Sequence, residues 1–170
     1  VGEVAYRVNL VSAFCAAMTI AFVYLSIRKL GAMVLPAIYG SLALALTPLF
    51  WKHGTIAEIY APSAACLAFI LFTVLHWKDT NNPHWLFVAG LLGGLSLGIH
   101  TTIALAAPAV LIYLILSFFF PLSPEKKKDF LSGLFGAILG IAIFLSSFLL
   151  FYFYYLSSIL YVFQMLFLYY

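Results

Sequence analysis

The residues able to do chemistry gather in one polar interruption, Phe50-Trp51-Lys52-His53-Gly54-Thr55-Ile56-Ala57-Glu58-Ile59-Tyr60, set between two long apolar runs. Glu58 is the only acidic residue between Glu3 and Asp79. A carboxylate at the end of a membrane helix is costly unless it is solvated, paired or used. Glu58 therefore has two readings: a general base that takes a proton, or a solvated loop carboxylate paired with Lys52. Lys52, His53 and Tyr60 flank it as candidates for binding a substrate, or as ordinary residues of the membrane interface. Arg7 presents a guanidinium, whose paired donors match phosphate oxygens; the alternative is an anchor that snorkels to the headgroups. His100 is either a proton-handling group or a helix-end histidine. Asn9 and Ser12, just inside the first apolar run, either contact a ligand or bond to a neighbouring helix. His76 and His84 have no acidic residue near them except Asp79. The sequence holds no glycine-rich phosphate loop, no HExxH and no cysteine metal motif, so no residue is assigned to a metal. Cys15 and Cys66 both lie within apolar runs and read as small core residues.

The elements that must position these groups are membrane helices. Hydrophobic residues make up 66% of the chain and charged residues 8%, against about 25% charged in a soluble domain. So few charges cannot cover a water-facing surface, and the composition specifies an all-α, polytopic transmembrane bundle. The net charge of +3 comes from basic residues scattered mostly at run ends, so it says little about nucleic acid, and no nucleic-acid partner is expected. Val8 to Ile27 spans about 30 Å as a helix and is closed by Arg28-Lys29. Met33 to Leu49 comes next, with Pro36 in its first turn and Pro48 at its end. A third run opens at Pro62 and ends near Trp77, before the polar turn Lys78-Asp79-Thr80-Asn81-Asn82-Pro83. Trp85 to Ile99 is short, and Gly90, Gly94 and Gly98 place a glycine groove on one face of it, against which a neighbouring helix is expected to pack. Ile103 to Phe120 carries Pro108 as an expected kink. Pro121 to Asp129 reads as the most polar loop. A sixth run starts at Phe130 and fades into Phe151-Tyr152-Phe153-Tyr154-Tyr155, an interface belt. The tail Leu156–Tyr170 is compatible with an interfacial helix or a further span. Residues 1–170 thus form one transmembrane domain of about six helices. Because it begins Val1-Gly2-Glu3-Val4 and ends within an apolar stretch, it reads as an internal fragment.

Orientation comes from the basic residues. If the chain enters from outside at Val8, Arg28, Lys29, Lys78 and Lys126-Lys127-Lys128 all fall in the cytoplasm, and only Arg7 and Lys52 fall outside. That asymmetry is the positive-inside signal. It sets Arg7, the Lys52–Tyr60 stretch, His100 and the Phe151–Tyr155 belt on the non-cytoplasmic side, while the lysine triplet meets lipid headgroups.

Three segments carry a family resemblance: Tyr6-Arg7-Val8-Asn9-Leu10-Val11-Ser12; Phe50-Trp51 with Ala57-Glu58-Ile59-Tyr60; and Gly94-Leu95-Ser96-Leu97-Gly98-Ile99-His100-Thr101-Thr102. In order and spacing they resemble a bacterial membrane family, long classed as a domain of unknown function, that is similar to protein O-mannosyltransferases, including eukaryotic transmembrane members of the secretory pathway. The likeness covers Tyr6 to Pro108. It implies a glycosyltransferase of the polytopic C-type superfamily, which takes a sugar from a polyprenyl-phosphate carrier and attaches it to a protein or glycan acceptor outside the cytoplasm. It implies a bacterial inner membrane, or the endoplasmic reticulum in a eukaryote. In that family an acidic motif of the first outer loop, then a His-Pro-Pro-Gly-like segment, precede the Arg-Val-Asn motif. The resemblance therefore sets the principal carboxylate ahead of Val1 and leaves Glu58 as base or as its support. Glu58 and His100 become the catalytic candidates. Arg7, Asn9, Lys52, His53 and Tyr60 become the donor- and acceptor-binding candidates.

Two rival readings survive on sequence: a transporter or flippase for lipid-linked sugars, and a non-catalytic assembly subunit. Transporters bind near the bilayer midplane, whereas the charged residues of this chain sit at run ends. Cysteine-accessibility labelling at Thr55 and at Ser123 is expected to report opposite sides of the membrane; labelling of both from one side would contradict the orientation.

Overall fold

The computed structural model describes residues 4–119 and 124–168. Among them there are only helices: α1 (Val4–Lys29), α2 (Val34–Ala45), α3 (Pro48–Thr55), α4 (Tyr60–Thr80), α5 (Pro83–Ser96), a 3-10 segment (Thr101–Ala106), α6 (Ala107–Phe119) and α7 (Pro124–Leu168). By length and composition α1, α4 and the Lys128–Ser158 part of α7 can each cross a membrane, and α2 with α3 makes a fourth crossing if the bent pair is one span.

Helix directions can be read from side-chain pairs. Lys29 Nζ lies 2.8 Å from Asp79 Oδ2, and Phe22 stacks on Phe69 at 4.5 Å and meets Phe72 at 5.7 Å. Residue numbers rise together, so α1 and α4 are parallel. The seam has a heptad spacing on α1, where Phe22 and Lys29 share a face. The α4–α5 turn arises from local chemistry. Asn81 takes the left-handed conformation that ends α4 (φ 49°), Asn82 accepts the His84 N–H at 3.0 Å, and Pro83 opens α5 where its missing N–H costs nothing. His76 at the end of α4 meets Trp85 at the start of α5, which makes the two antiparallel.

The expected glycine groove is filled by α7. A Cβ at Gly94 would lie 2.6 Å from Ile141 N and 2.9 Å from Gly140 C, and one at Gly90 would collide with Gly133 O. Gly136 and Gly140 return the fit, since a side chain at either would strike the Phe87 or Leu91 carbonyl. The helices therefore touch backbone to backbone and run parallel, Gly98 ending against the Phe144 ring. At the other end the Trp77 indole donates to Asp129 Oδ2 at 2.8 Å, with the two residues 1% and 6% exposed. Removing that carboxylate would leave a buried N–H at a cost of about 1–3 kcal/mol. Ile70, Val74, Trp77, Leu86 and Ala89 form the core, and α6 covers it with Val110, Tyr113 and Leu114.

Four expectations change. The second run is two helices bent by 66° and not one. Pro48 supplies no N–H and disfavours helix at the preceding residue, so the chain breaks at Leu46-Thr47 and resumes with Pro48 at its first turn. The break keeps its polar groups bonded, for Leu46 N donates to Leu42 O at 2.9 Å, and Thr47 N and Oγ1 donate to Leu44 O at 3.1 and 2.9 Å. Pro108 does not kink a helix; it lies in the first turn of α6, just after the 3-10 segment. Pro121 to Asp129 is not all loop, because α7 starts at Pro124 and takes the lysine triplet into its first turns; Ser123 lies outside the described residues. The tail to Leu168 continues α7 as one helix, about 67 Å long in all.

The glycine contact makes a direct prediction. Gly94→Leu should lower stability by about 1–3 kcal/mol or more, by forcing two backbones apart. Gly93→Leu, where a side chain meets nothing within 4 Å, should be near neutral. Thermal unfolding in detergent measures both, and equal tolerance would contradict the packing.

Candidate functional site

The broken span ends where the polar stretch begins. Gly54, at the last turn of α3, is buried, and a Cβ there would lie 3.1 Å from Ala16 Cβ. Its lack of a side chain lets α3 close onto α1. Thr55 Oγ1 then donates to the Lys52 and Trp51 carbonyls, at 3.0 and 3.2 Å, and ends the helix. Ile56 is extended (φ −112°, ψ 143°), and the short link through Glu58 returns the chain to Tyr60, the first residue of α4.

This reversal brings His53 and Glu58 together, with Nδ1 2.6 Å from Oε2. Their side chains are 24% and 34% exposed, so the pair is sheltered yet reachable. The Tyr60 ring centroid lies 4.7 Å from that of His53 and 5.5 Å from that of His100. His100 is placed by the end of α5: its N–H donates to Ser96 O at 3.1 Å, and its own carbonyl receives Ile103 N at 3.2 Å, opening the 3-10 segment. Residues of α3, the link, α4 and the end of α5 thus form one continuous group: His53, Glu58, Tyr60, His100.

The other candidates lie on α1 and α3. Arg7, near the start of α1, is exposed and Asn9 half-buried. Lys52 is exposed on α3. The partner of Glu58 is His53 and not Lys52, so the simple lysine-paired loop carboxylate is not what forms. Arg28, Lys29, Lys78 and Lys128 all lie toward the opposite end of the helices, where Lys29 pairs with Asp79 and Lys78 sits 5.6 Å over the Tyr113 ring. Ser12 is buried in α1. Among the described residues no three His, Cys, Asp or Glu side chains converge as a metal set.

Two features are not legible in the sequence. The His53–Glu58 pair depends on a reversal between helices, and its only trace is a histidine five residues ahead of an acid. The role of Gly54 depends on how near α1 lies, which no local pattern records. Chemically, the group offers a carboxylate-bonded imidazole beside an aromatic ring, a pair able to take up or release a proton.

Because the pair is partly exposed, each partner is worth little to the fold. His53→Ala and Glu58→Ala should each change unfolding stability by less than about 1 kcal/mol. Thermal melts of the two variants check this, and a large loss would make the pair a structural brace.

The family described as Protein O-mannosyl-transferase TMEM260 N-terminal domain matches residues 1–122. No curated protein and no solved structure matches the chain.

Proposed function

The chain belongs to the TMEM260 N-terminal domain family of protein O-mannosyl-transferases, and from that premise we propose that it takes part in moving a mannosyl group from a polyprenyl-phosphate carrier to a protein hydroxyl at the non-cytoplasmic face of a membrane. The observation that carries the reading is the His53–Glu58 pair at 2.6 Å, at the end of the helices away from Arg28, Lys29, Lys78 and Lys128. In this reading the basic end faces the cytoplasm. Six crossings belong to the same proposal, and agree with α1 running parallel to α4, α5 parallel to α7 and α4 antiparallel to α5. The 3-10 segment and α6 together reach about 30 Å, and α5, though short, is shielded between α4 and α7. The C-type glycosyltransferase architecture and a bacterial inner membrane or endoplasmic reticulum belong to the same proposal.

A sugar phosphate already carries a good leaving group. The reaction then needs a group that takes the acceptor's proton and cations that hold the phosphate as charge builds on it. Glu58, through its bond to His53, provides the negative charge for the first task. Arg7, with paired donors, and Lys52 suit the second. In this reading Asn9 and Tyr60 would contact donor or acceptor, and the exposed Trp51, Ile56 and Ile59 would offer an apolar lip for a polyprenyl chain. No metal ligands are assigned. The break at Pro48 is a feature shared with transporters. In this chain, though, the ionisable groups cluster at the helix ends and not at the break, which favours an interfacial enzyme.

The test is transfer from radiolabelled mannosyl-phospho-polyprenol to a serine- and threonine-containing peptide by the membrane-embedded full chain. Glu58→Gln should leave the protein folded and carrier-bound while lowering transfer about 10²-fold. Arg7→Ala should instead raise the donor concentration needed, because it removes a phosphate contact. Full transfer by Glu58→Gln would remove the carboxylate from the mechanism.

A further inference from the structure

We propose that Ser26 and His76 hold a single water molecule between α1 and α4, a buried polar joint at the basic end of the bundle. It does not depend on the transferase reading. Three layers of the α1–α4 seam define the place. On α1, Phe22, Ser26 and Lys29 stand at i, i+4 and i+7 and share one face; on α4, Phe72, His76 and Asp79 repeat that spacing. Phe22 meets Phe72 at 5.7 Å, and Lys29 pairs with Asp79 at 2.8 Å. Lys29 and Asp79 are 50 residues apart, as are Phe22 and Phe72, and as are Ser26 and His76 between them. The middle layer is thus bracketed by an observed contact on either side.

Both of its polar atoms lack what burial demands. Among the described residues, Ser26 Oγ and His76 Nδ1 are shut off from the outside and have no hydrogen-bond partner. Thr19 on α1 and Thr73 on α4 donate to carbonyls of their own helices, at 2.9 and 2.8 Å; Ser26 does not turn back in this way. Asp79, the acid nearest His76 in sequence, is held by Lys29. The rings that hold the imidazole, Phe72 stacked at 5.5 Å and Trp85 edge-on at 4.5 Å, make no hydrogen bond with Nδ1. An unpaired polar atom is costly when buried, above all at membrane depth. Two of them at one level on facing helices have one shared solution. No direct bond joins them, and water is the smallest molecule that bonds both. It donates to a bare Nδ1 or accepts from Nδ1–H, and the serine hydroxyl turns to suit, so either tautomer is served. Buried waters characteristically occupy such places. The Lys29–Asp79 pair closes the layer toward the headgroups, and the phenylalanines close it toward the bilayer centre. The joint adds, to the register set by that partly exposed ion pair, an attraction that solvent does not screen.

The test uses the full chain in lipid. A crystal or cryo-electron structure sharp enough to show ordered water should place one water within about 2.7–3.2 Å of both Ser26 Oγ and His76 Nδ1. A direct bond between the two atoms, or a layer without water, overturns the proposal. Melting temperatures give the second arm. Ser26→Ala and His76→Phe should each lower the melting temperature by several degrees, because each strands polar groups that the joint had paired. The double variant should recover most of the loss, since removing both partners leaves nothing unpaired. Ser41→Ala, which deletes only bonds within its own helix, should melt with the unsubstituted chain. Losses that simply add in the double variant overturn the link between the two residues. If a single variant does not fold, the structure of the unsubstituted chain decides the matter.

Discussion

Everything else in this bundle leans on the backbone contact between α5 and α7. Hydrocarbon offers no hydrophobic incentive for two apolar helices to associate, so their attraction must come from close van der Waals packing and hydrogen bonds. Gly90 and Gly94 against Gly133, Ala137 and Gly140 give the shortest approach that two helices permit. At its basic end the contact is closed by Ser132 Oγ bonding Pro83 O at 3.2 Å and by the buried Trp77–Asp129 hydrogen bond. α5 has only 14 residues and would be about 21 Å long. It holds its place because α7 covers one face and α4 the other, and the position of His100 at its end depends on that.

The second seam, α1 against α4, is built differently. It uses stacked phenylalanines in the middle and the Lys29–Asp79 pair at one end. That ion pair is half exposed and worth little energy; its contribution is register. A shift of one turn, about 5.4 Å, would part Phe22 from Phe69 and Lys29 from Asp79. The broken span between the seams has a matching role. A straight helix from Val34 to Thr55 would project His53 past the bundle. The bend at Pro48 turns α3 inward until Gly54 meets Ala16, and the imidazole comes into reach of the carboxylate.

The site itself shows how a membrane interface disposes of charge. An unpaired carboxylate and an isolated imidazole each favour bulk water. Paired at 2.6 Å and packed on Tyr60, they stay partly sheltered without stranding a polar group.

Composition alone determined that this is an all-helical membrane protein, because 8% charged residues cannot solvate a surface. Apolar run lengths determined where most helices lie, and the four-residue glycine spacing determined which face of α5 needs a neighbour. The basic residues at run ends determined that one end differs from the other, and residue type alone marked the Lys52–Tyr60 stretch and His100 as candidates. Tertiary structure alone decided the rest. It decided that α7, and no other helix, fills the glycine groove, since a groove does not name its partner. It decided that Pro48 breaks a span while Pro108 merely starts a helix, since a proline marks a boundary without fixing the direction of the chain beyond it. It decided that Glu58 pairs with His53 in preference to Lys52, two residues adjacent in sequence. Neighbours on a helix point about 100° apart, and only the packing of α3 on α1 settles which of them turns toward the acid.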